Sequence, residues 1–107
     1  MLTREQARAL VMADLARPPK YQYPGATRDF AIIDEHTIER DWGWVFFYNS
    51  ERYIKTKDRK YALFGNAPYI VNRYTGELLT TGTSQPIEHY MAAYESEITR
   101  LAQRRRG

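Results

Sequence analysis

The chain has 107 residues, with 16 Lys and Arg against 13 Asp and Glu, so its formal net charge is +3. The excess lies at the end of the chain, in Arg104 to Arg106, and the remainder is neutral. A neutral body argues against a broad basic face of the kind that general nucleic-acid binders carry, but not against a local basic site.

Length and composition predict a single domain spanning residues 1–107, because a chain of this size has one hydrophobic core. The sequence contains no Cys, which excludes a disulfide framework and removes the commonest zinc ligand. The N-terminus carries Glu5 and Asp14 within its first residues, so it does not resemble a secretory signal. No apolar run approaches the roughly 20 residues that span a bilayer. We therefore expect a soluble, cytoplasmic protein with no membrane partner.

The first predicted element is an amphipathic helix over residues 4–16. Thr3 followed by Gln6 fits a capping box, in which each residue satisfies a backbone N–H of the other. Apolar residues then recur at helical spacing, and Pro18 with Pro19 ends the pattern because proline cannot continue the helical hydrogen bonds.

Strand patterns occupy the middle of the chain, from about residue 29 to residue 81. Their β-branched and aromatic residues favour extended structure. A tight connection at Asp41-Trp42-Gly43 and a hairpin turn ending at Gly76 separate neighbouring strands. The charged stretch 51–60 is irregular and extends the second strand before looping out. The predicted strands cover residues 29–38, 44–48, 69–72 and 77–81.

The last predicted element is a helix over residues 86–103, with Pro86 as its first residue and apolar positions from Ile87 to Leu101 along one face. The element order is α-β-β-β-β-α, with short connections that favour antiparallel pairing. An antiparallel sheet needs a cover for its apolar face. The sequence therefore predicts an α+β fold, in which a four-stranded antiparallel sheet packs against the N- and C-terminal helices.

Motifs for catalysis are missing from the sequence. Its two histidines, His36 and His89, have no metal-ligand spacing around them. No glycine-rich phosphate loop is present, and no carboxylate pair is placed across a predicted cleft. We therefore predict that the protein is not an enzyme and has no metal, no cofactor and no small-molecule substrate.

Residue types that favour binding to a partner are more evident in the sequence than catalytic motifs. The chain has nine Tyr and two Trp, which are residue types enriched at protein interfaces. Residues 28–51 hold two Arg against six acids, whereas residues 52–60 hold five basic residues against Asp58. The basic residues alternate with tyrosines, a pattern that suits single-stranded nucleic acid, an acidic patch on a protein, or a solvated loop balancing the acidic strand. By strand alternation Trp42 and Trp44 share one face, and Trp42, beside the turn, is expected to be exposed.

Four motifs between residues 43 and 90 point to a family. They are a G-W-x-F-x-F strand, a G-N-A-P-[FY]-I-[IV] strand, an S/T-G-E-[IL] turn and a G-T-x-x-P-[LI]-E-x-Y helix start. Here they fall at residues 43–48, 65–71, 75–78 and 82–90. In this order they resemble the signature region of immunity protein 35, a YrhB-like family of bacterial polymorphic toxin systems. The resemblance covers roughly residues 28–96.

The resemblance implies an α+β protein that binds and neutralises a cognate toxin domain encoded beside it, and so protects the producing cell. A chaperone-like holdase is the natural alternative, and a nucleic-acid-binding module using residues 52–61 and the arginine tail is another. Under the resemblance the motif residues are mainly architectural, namely Trp44, Gly65, Pro68, Gly76, Gly82, Pro86 and Tyr90. We expect the partner to contact the charged strand and the loop after it, through Trp42, Tyr48, Arg52, Tyr53, Lys55 and Arg59.

Overall fold

The computed structural model of the chain describes residues 1–17, 29–63 and 66–106. The helices are α1 (Arg4–Leu15), α2 (Glu51–Thr56) and α3 (Ile87–Arg106). The strands are β1 (Phe30–Ile32), β2 (Ile38–Arg40), β3 (Gly43–Phe46), β4 (Tyr48–Ser50), β5 (Tyr69–Asn72) and β6 (Leu78–Thr80). Helices lie at both ends and every strand pair is antiparallel, which confirms the α+β class.

Helix α1 begins where the capping box predicts. The Thr3 hydroxyl accepts a hydrogen bond from the Gln6 backbone at 3.1 Å, and the Gln6 side chain accepts one from the Thr3 backbone at 2.9 Å. The two bonds satisfy N–H groups that have no partner inside the helix. Pro18 and Pro19, which were expected to end the helix, lie outside the described residues.

The single four-stranded sheet of the prediction is replaced by two sheets. A four-stranded sheet has the order β2-β3-β5-β6, and a separate pair joins β1 to β4. The predicted first strand is divided into β1 and β2, and the predicted second strand is divided into β3 and β4. The division arises because residues 33–37 separate β1 from β2, whereas only Phe47 separates β3 from β4. The surplus residues form a 3-10 turn at Asp34–His36, which the Arg8 guanidinium binds through Asp34 at 2.8 Å.

The core has two halves, one on each face of the four-stranded sheet. Trp44, Phe46 and Val71 pack against α1 on the first face. Val45 and Ile70 pack against α3 on the second, where Met91 is the buried residue of that helix. Successive residues of β3 and β5 thus serve opposite faces, as strand alternation requires. The sheet lies between the terminal helices.

Trp42 is buried, and both expectations made for it are wrong. Its side chain is 9% exposed and belongs to the α3 half of the core, opposite to Trp44. The alternation fails because Gly43, between the two tryptophans, has φ +150, a conformation that side-chain-bearing residues rarely adopt. The Trp42 indole N–H donates to Glu95 at 2.9 Å, and its ring packs edge-on against Tyr94 at 5.0 Å.

Helix α3 begins at Ile87, with Pro86 immediately before it, and continues to Arg106. Beyond Trp42, a second polar contact ties it to the sheet, because the Asn72 amide donates to the Tyr94 hydroxyl at 3.0 Å. Leu101, the last position of the predicted apolar face, is 44% exposed, so this face is not buried along its whole length. The helix is therefore anchored through its first three turns, and residues 99–104 are exposed to solvent.

Candidate functional site

The candidate site is built on residues 51–61, which we call the basic segment. The prediction that this stretch extends the second strand is wrong. It forms helix α2, a left-handed residue at Lys57 with φ +60, and a 3-10 turn at Arg59–Tyr61. The helix forms because Ser50 caps it, with its hydroxyl accepting from the Tyr53 backbone at 3.0 Å.

Two side chains of β4 fasten the basic segment to the sheet. Ser50 is 3% exposed, and its hydroxyl also donates to the Tyr61 carbonyl at 2.5 Å. The Asn49 side-chain oxygen accepts from the Leu63 backbone at 2.8 Å. Ser50 thus binds both ends of the basic segment, and Asn49 binds the chain just after the segment.

A cleft of about 680 Å³ opens between the two ends of the basic segment. Side chains of both positive and negative charge line the cleft, namely three cations and two acids. Tyr61 supplies an aromatic wall. The charged lining residues are Asp29, Glu51, Arg52, Lys55 and Lys60.

The charges in this cleft are only partly compensated. Glu51 binds Lys55 at 2.8 Å, and this contact raises the pKa of Lys55, so the ammonium stays charged. The Arg52 guanidinium lies 4.2 Å above the centre of the Tyr61 ring, and the Lys60 ammonium lies 5.1 Å from the same centre. Among residues 1–17, 29–63 and 66–106, no carboxylate forms an ion pair with Arg52.

The structure brings together some of the predicted contact residues and separates others. Arg52, Lys55 and Arg59 are exposed on the basic segment, and Tyr53 is half-buried there. Tyr48 packs with the core on β4, next to Phe30 and Tyr69, and burial raises the pKa of its hydroxyl. Trp42 lies in the core against α3. We therefore remove Trp42 from the expected contact surface and regard Tyr48 as a packing residue.

Reasoning from the sequence missed Lys60 and Glu51 as cleft residues. A signal for Glu51, though not for Lys60, exists in the spacing of the charges. Glu51 and Lys55 are four residues apart, the separation that brings opposite charges together on a helix. With Ser50 before them as a cap, this spacing indicates a short helix in place of a strand.

The motif residues lie mainly around the four-stranded sheet. Trp44 is in its core, Pro68 accepts a backbone hydrogen bond from Thr81 at 3.0 Å, and Gly76 has the positive φ of +74 that its turn requires. Gly82 lies against Tyr90, and the Tyr90 hydroxyl accepts from the Gln85 backbone at 3.2 Å. A smaller cavity of about 390 Å³ is lined by Pro68, Gly82 and Tyr90, among others. Gly65 lies outside the described residues.

The described residues contain neither a metal-binding cluster nor a membrane-spanning helix. Within the described ranges, no cluster of His, Cys, Asp or Glu side chains has the size needed to hold a metal ion. In those ranges, too, no helix combines the length and apolar character needed to cross a membrane.

Comparison with known proteins identifies the family. The family model described as Immunity protein 35 matches residues 5–93, from the first turn of α1 into α3. The chain therefore belongs to the immunity protein 35 family, which confirms the resemblance drawn from its motifs.

The chain is also similar to the uncharacterized protein YrhB of Escherichia coli (strain K12). The two are 38% identical over 53 residues, which make up 50% of this chain and 56% of YrhB. The match thus covers a little over half the length of that relative. No solved structure matches the chain.

Replacing Ser50 with alanine is expected to loosen the basic segment and to lower the free energy of unfolding by about 1–2 kcal/mol. The substitution removes the cap of α2 and the donor to the Tyr61 carbonyl. Urea denaturation gives the stability, and hydrogen exchange of the Tyr53 amide reports the local change. Ser96→Ala, on the exposed side of α3, is the matched control and is expected to be neutral. Equal protection of Tyr53 in both variants would contradict the role assigned to Ser50.

Proposed function

We propose that this protein is an immunity protein that binds a cognate toxin domain of a bacterial polymorphic toxin system and thereby protects the producing cell. The observation that carries the proposal is membership of the immunity protein 35 family over residues 5–93. In this proposal the protein acts in the cytoplasm, as one domain, and neutralises the toxin by binding it without chemical reaction.

A stoichiometric inhibitor needs a surface that is ordered before binding, because ordering on contact subtracts from affinity. Several features support such a surface on the basic segment. Both of its ends are bound by the buried Ser50, and Lys57 closes α2 in a left-handed conformation. We propose that this preformed surface blocks the active site of the toxin or the path of its substrate.

We place the toxin contact on the exposed side chains of the basic segment. Arg52, Lys55 and Arg59 are retained from the sequence prediction, together with the half-buried Tyr53. Arginine and tyrosine are the residue types that most often contribute strongly to binding at the centre of an interface. The contact is expected to be polar, since the segment holds five cations against Glu51 and Asp58.

The test is co-expression with the toxin domain encoded beside the gene for this chain. We expect restored growth of the host and a stable one-to-one complex in size-exclusion chromatography. Arg59→Glu is expected to weaken the complex by about 2 kcal/mol or more, because it reverses a charge at the contact. Arg104→Glu makes the same charge change on the exposed end of α3 and is expected to be neutral.

Two outcomes would decide against the proposal at different levels. Absence of both rescue and complex formation would refute the immunity function with that toxin. Rescue that is lost in Arg104→Glu but retained in Arg59→Glu would keep the function and move the contact to α3.

A further inference from the structure

Arg52 is held in place by an aromatic ring. Its guanidinium lies 4.2 Å above the centre of the Tyr61 ring, and the backbone of Tyr61 is fixed in turn by the buried Ser50 hydroxyl. The attraction between a cation and an aromatic face uses none of the guanidinium's N–H donors as hydrogen-bond partners of an acceptor. Those donors match the two oxygens of a carboxylate, which they can bind through parallel hydrogen bonds.

A second cation lies close to the first. The Lys60 ammonium is 5.1 Å from the centre of the same ring, so the two positive groups are closer than about 10 Å, the distance over which 0.1 M salt screens charges. They repel each other in the unbound protein. Lys60 forms an ion pair with Asp58 at 3.9 Å, which is a loose contact between exposed groups. An anion in the cleft, which both side chains line, would relieve the repulsion.

The remaining charges of the cleft set the size of the anion it accepts. Glu51 is neutralised by Lys55 at 2.8 Å, and Asp29 contributes one negative charge on the wall. The surplus is therefore small, which suits a single carboxylate better than a chain of phosphates. The cleft, of about 680 Å³, has space for a carboxylate side chain and its neighbours in a peptide.

We infer that the cleft of the basic segment is a receptor for an acidic peptide segment of the partner protein, with a carboxylate bound by the stacked Arg52 and by Lys60. The inference rests on the proposed function for the identity of the partner, because the toxin domain supplies the acidic segment. It names the chemistry that the partner must present, namely Asp or Glu on an exposed loop or terminus.

The experiment measures binding of a fluorescein-labelled hexaglutamate peptide by fluorescence anisotropy. We expect binding at low ionic strength that weakens as salt is added. Arg52→Gln is expected to reduce affinity about tenfold, the effect of losing a charge-assisted pair of hydrogen bonds. Lys60→Gln is expected to cause a smaller loss. Arg104→Gln, an equal charge change on α3, is expected to leave affinity unchanged.

Several results would overturn the inference. They are no binding by the wild-type chain, equal losses in Arg52→Gln and Arg104→Gln, and tighter binding of a labelled decauridine RNA that also depends on Arg52. Circular dichroism shows whether each variant is folded, and Lys60→Gln tests the cleft should Arg52→Gln unfold. Toxin neutralisation that survives Arg52→Gln unchanged would refute the cleft and leave the immunity function standing. Arg52-dependent peptide binding without neutralisation of the toxin would refute the function and keep the carboxylate specificity.

Discussion

Gly43→Ala is expected to abolish the folded state, or to destabilise it by more than about 4 kcal/mol. A Cβ at this position would lie 1.9 Å from the Val71 carbonyl oxygen and 3.0 Å from the Arg73 backbone nitrogen. Both are backbone atoms of β5 or its turn, so no change of side-chain rotamer relieves the overlap. Native domains are stable by roughly 5–15 kcal/mol, so a loss of this size removes most of the stability of a domain at the lower end of that range.

Gly76→Ala is the matched control for this prediction. Gly76 also has a positive φ, of +74, but the nearest atom to an added Cβ is a Leu2 methyl carbon at 3.9 Å. Gly76→Ala is therefore expected to cost only the free energy of placing alanine at a positive φ, about 1–2 kcal/mol. Urea denaturation followed by tryptophan fluorescence measures both variants. Equal stabilities would show that close approach of β3 to β5 at Gly43 is unimportant.

Trp42→Ala is expected to destabilise the protein by about 3–5 kcal/mol, the usual cost of truncating a buried aromatic side chain. The substitution removes packing against Tyr94 at 5.0 Å and the hydrogen bond to Glu95 at 2.9 Å. Because these contacts join α3 to the sheet, hydrogen exchange is expected to accelerate along α3 more than along α1. Equal acceleration in both helices would contradict this local role.

Trp42→Phe separates the structural role from a role in binding. It keeps an aromatic ring in the core but loses the donor to Glu95, so we expect a smaller loss of stability than in Trp42→Ala. Under the proposed function, the folded variant is expected to bind the toxin as tightly as wild type, because Trp42 packs in the core against α3. A selective loss of toxin affinity would return Trp42 to the contact surface.

The sequence was sufficient for features that depend on neighbouring residues. The start of α1 follows from Thr3 and Gln6, which contact each other across one helical turn. The family follows from four short motifs and was found over most of the chain. Apolar and β-branched runs also indicated the pairing partners around Gly76, where β5 and β6 form a hairpin.

Features that depend on distant residues were missed. The predicted first and second strands are divided because more residues lie between β1 and β2 than between β3 and β4. This difference can be seen only when the register of both strand pairs is known. The position of Trp42 depends on the close approach of Gly43 to Val71, a residue far along the chain. Helix α2 is the exception, because its Ser50 cap and its Glu51–Lys55 pair are local signals that were overlooked.

The same distinction between features set by neighbouring residues and features set by distant residues applies to the candidate site. The composition of residues 52–60 indicated a basic surface, and Arg52, Lys55 and Arg59, which the sequence singled out, are exposed on it, but Lys60 was missed. The cleft depends on the return of Tyr61 to Ser50, and the stacking of Arg52 on Tyr61 follows from that return. Such a closure cannot be inferred from the alternation of charged and aromatic residues alone.

The attachment of the basic segment has a consequence for how its specificity can be redesigned. Ser50 and Asn49 bind the backbone of Tyr53, Tyr61 and Leu63, and these bonds do not depend on the identity of the exposed side chains between them. Arg52, Lys55 and Arg59 can therefore be exchanged without disturbing the anchors or the core. A library randomised at these positions on an otherwise constant scaffold is expected to keep the fold, so that under the proposed function partner choice can change while the fold is maintained.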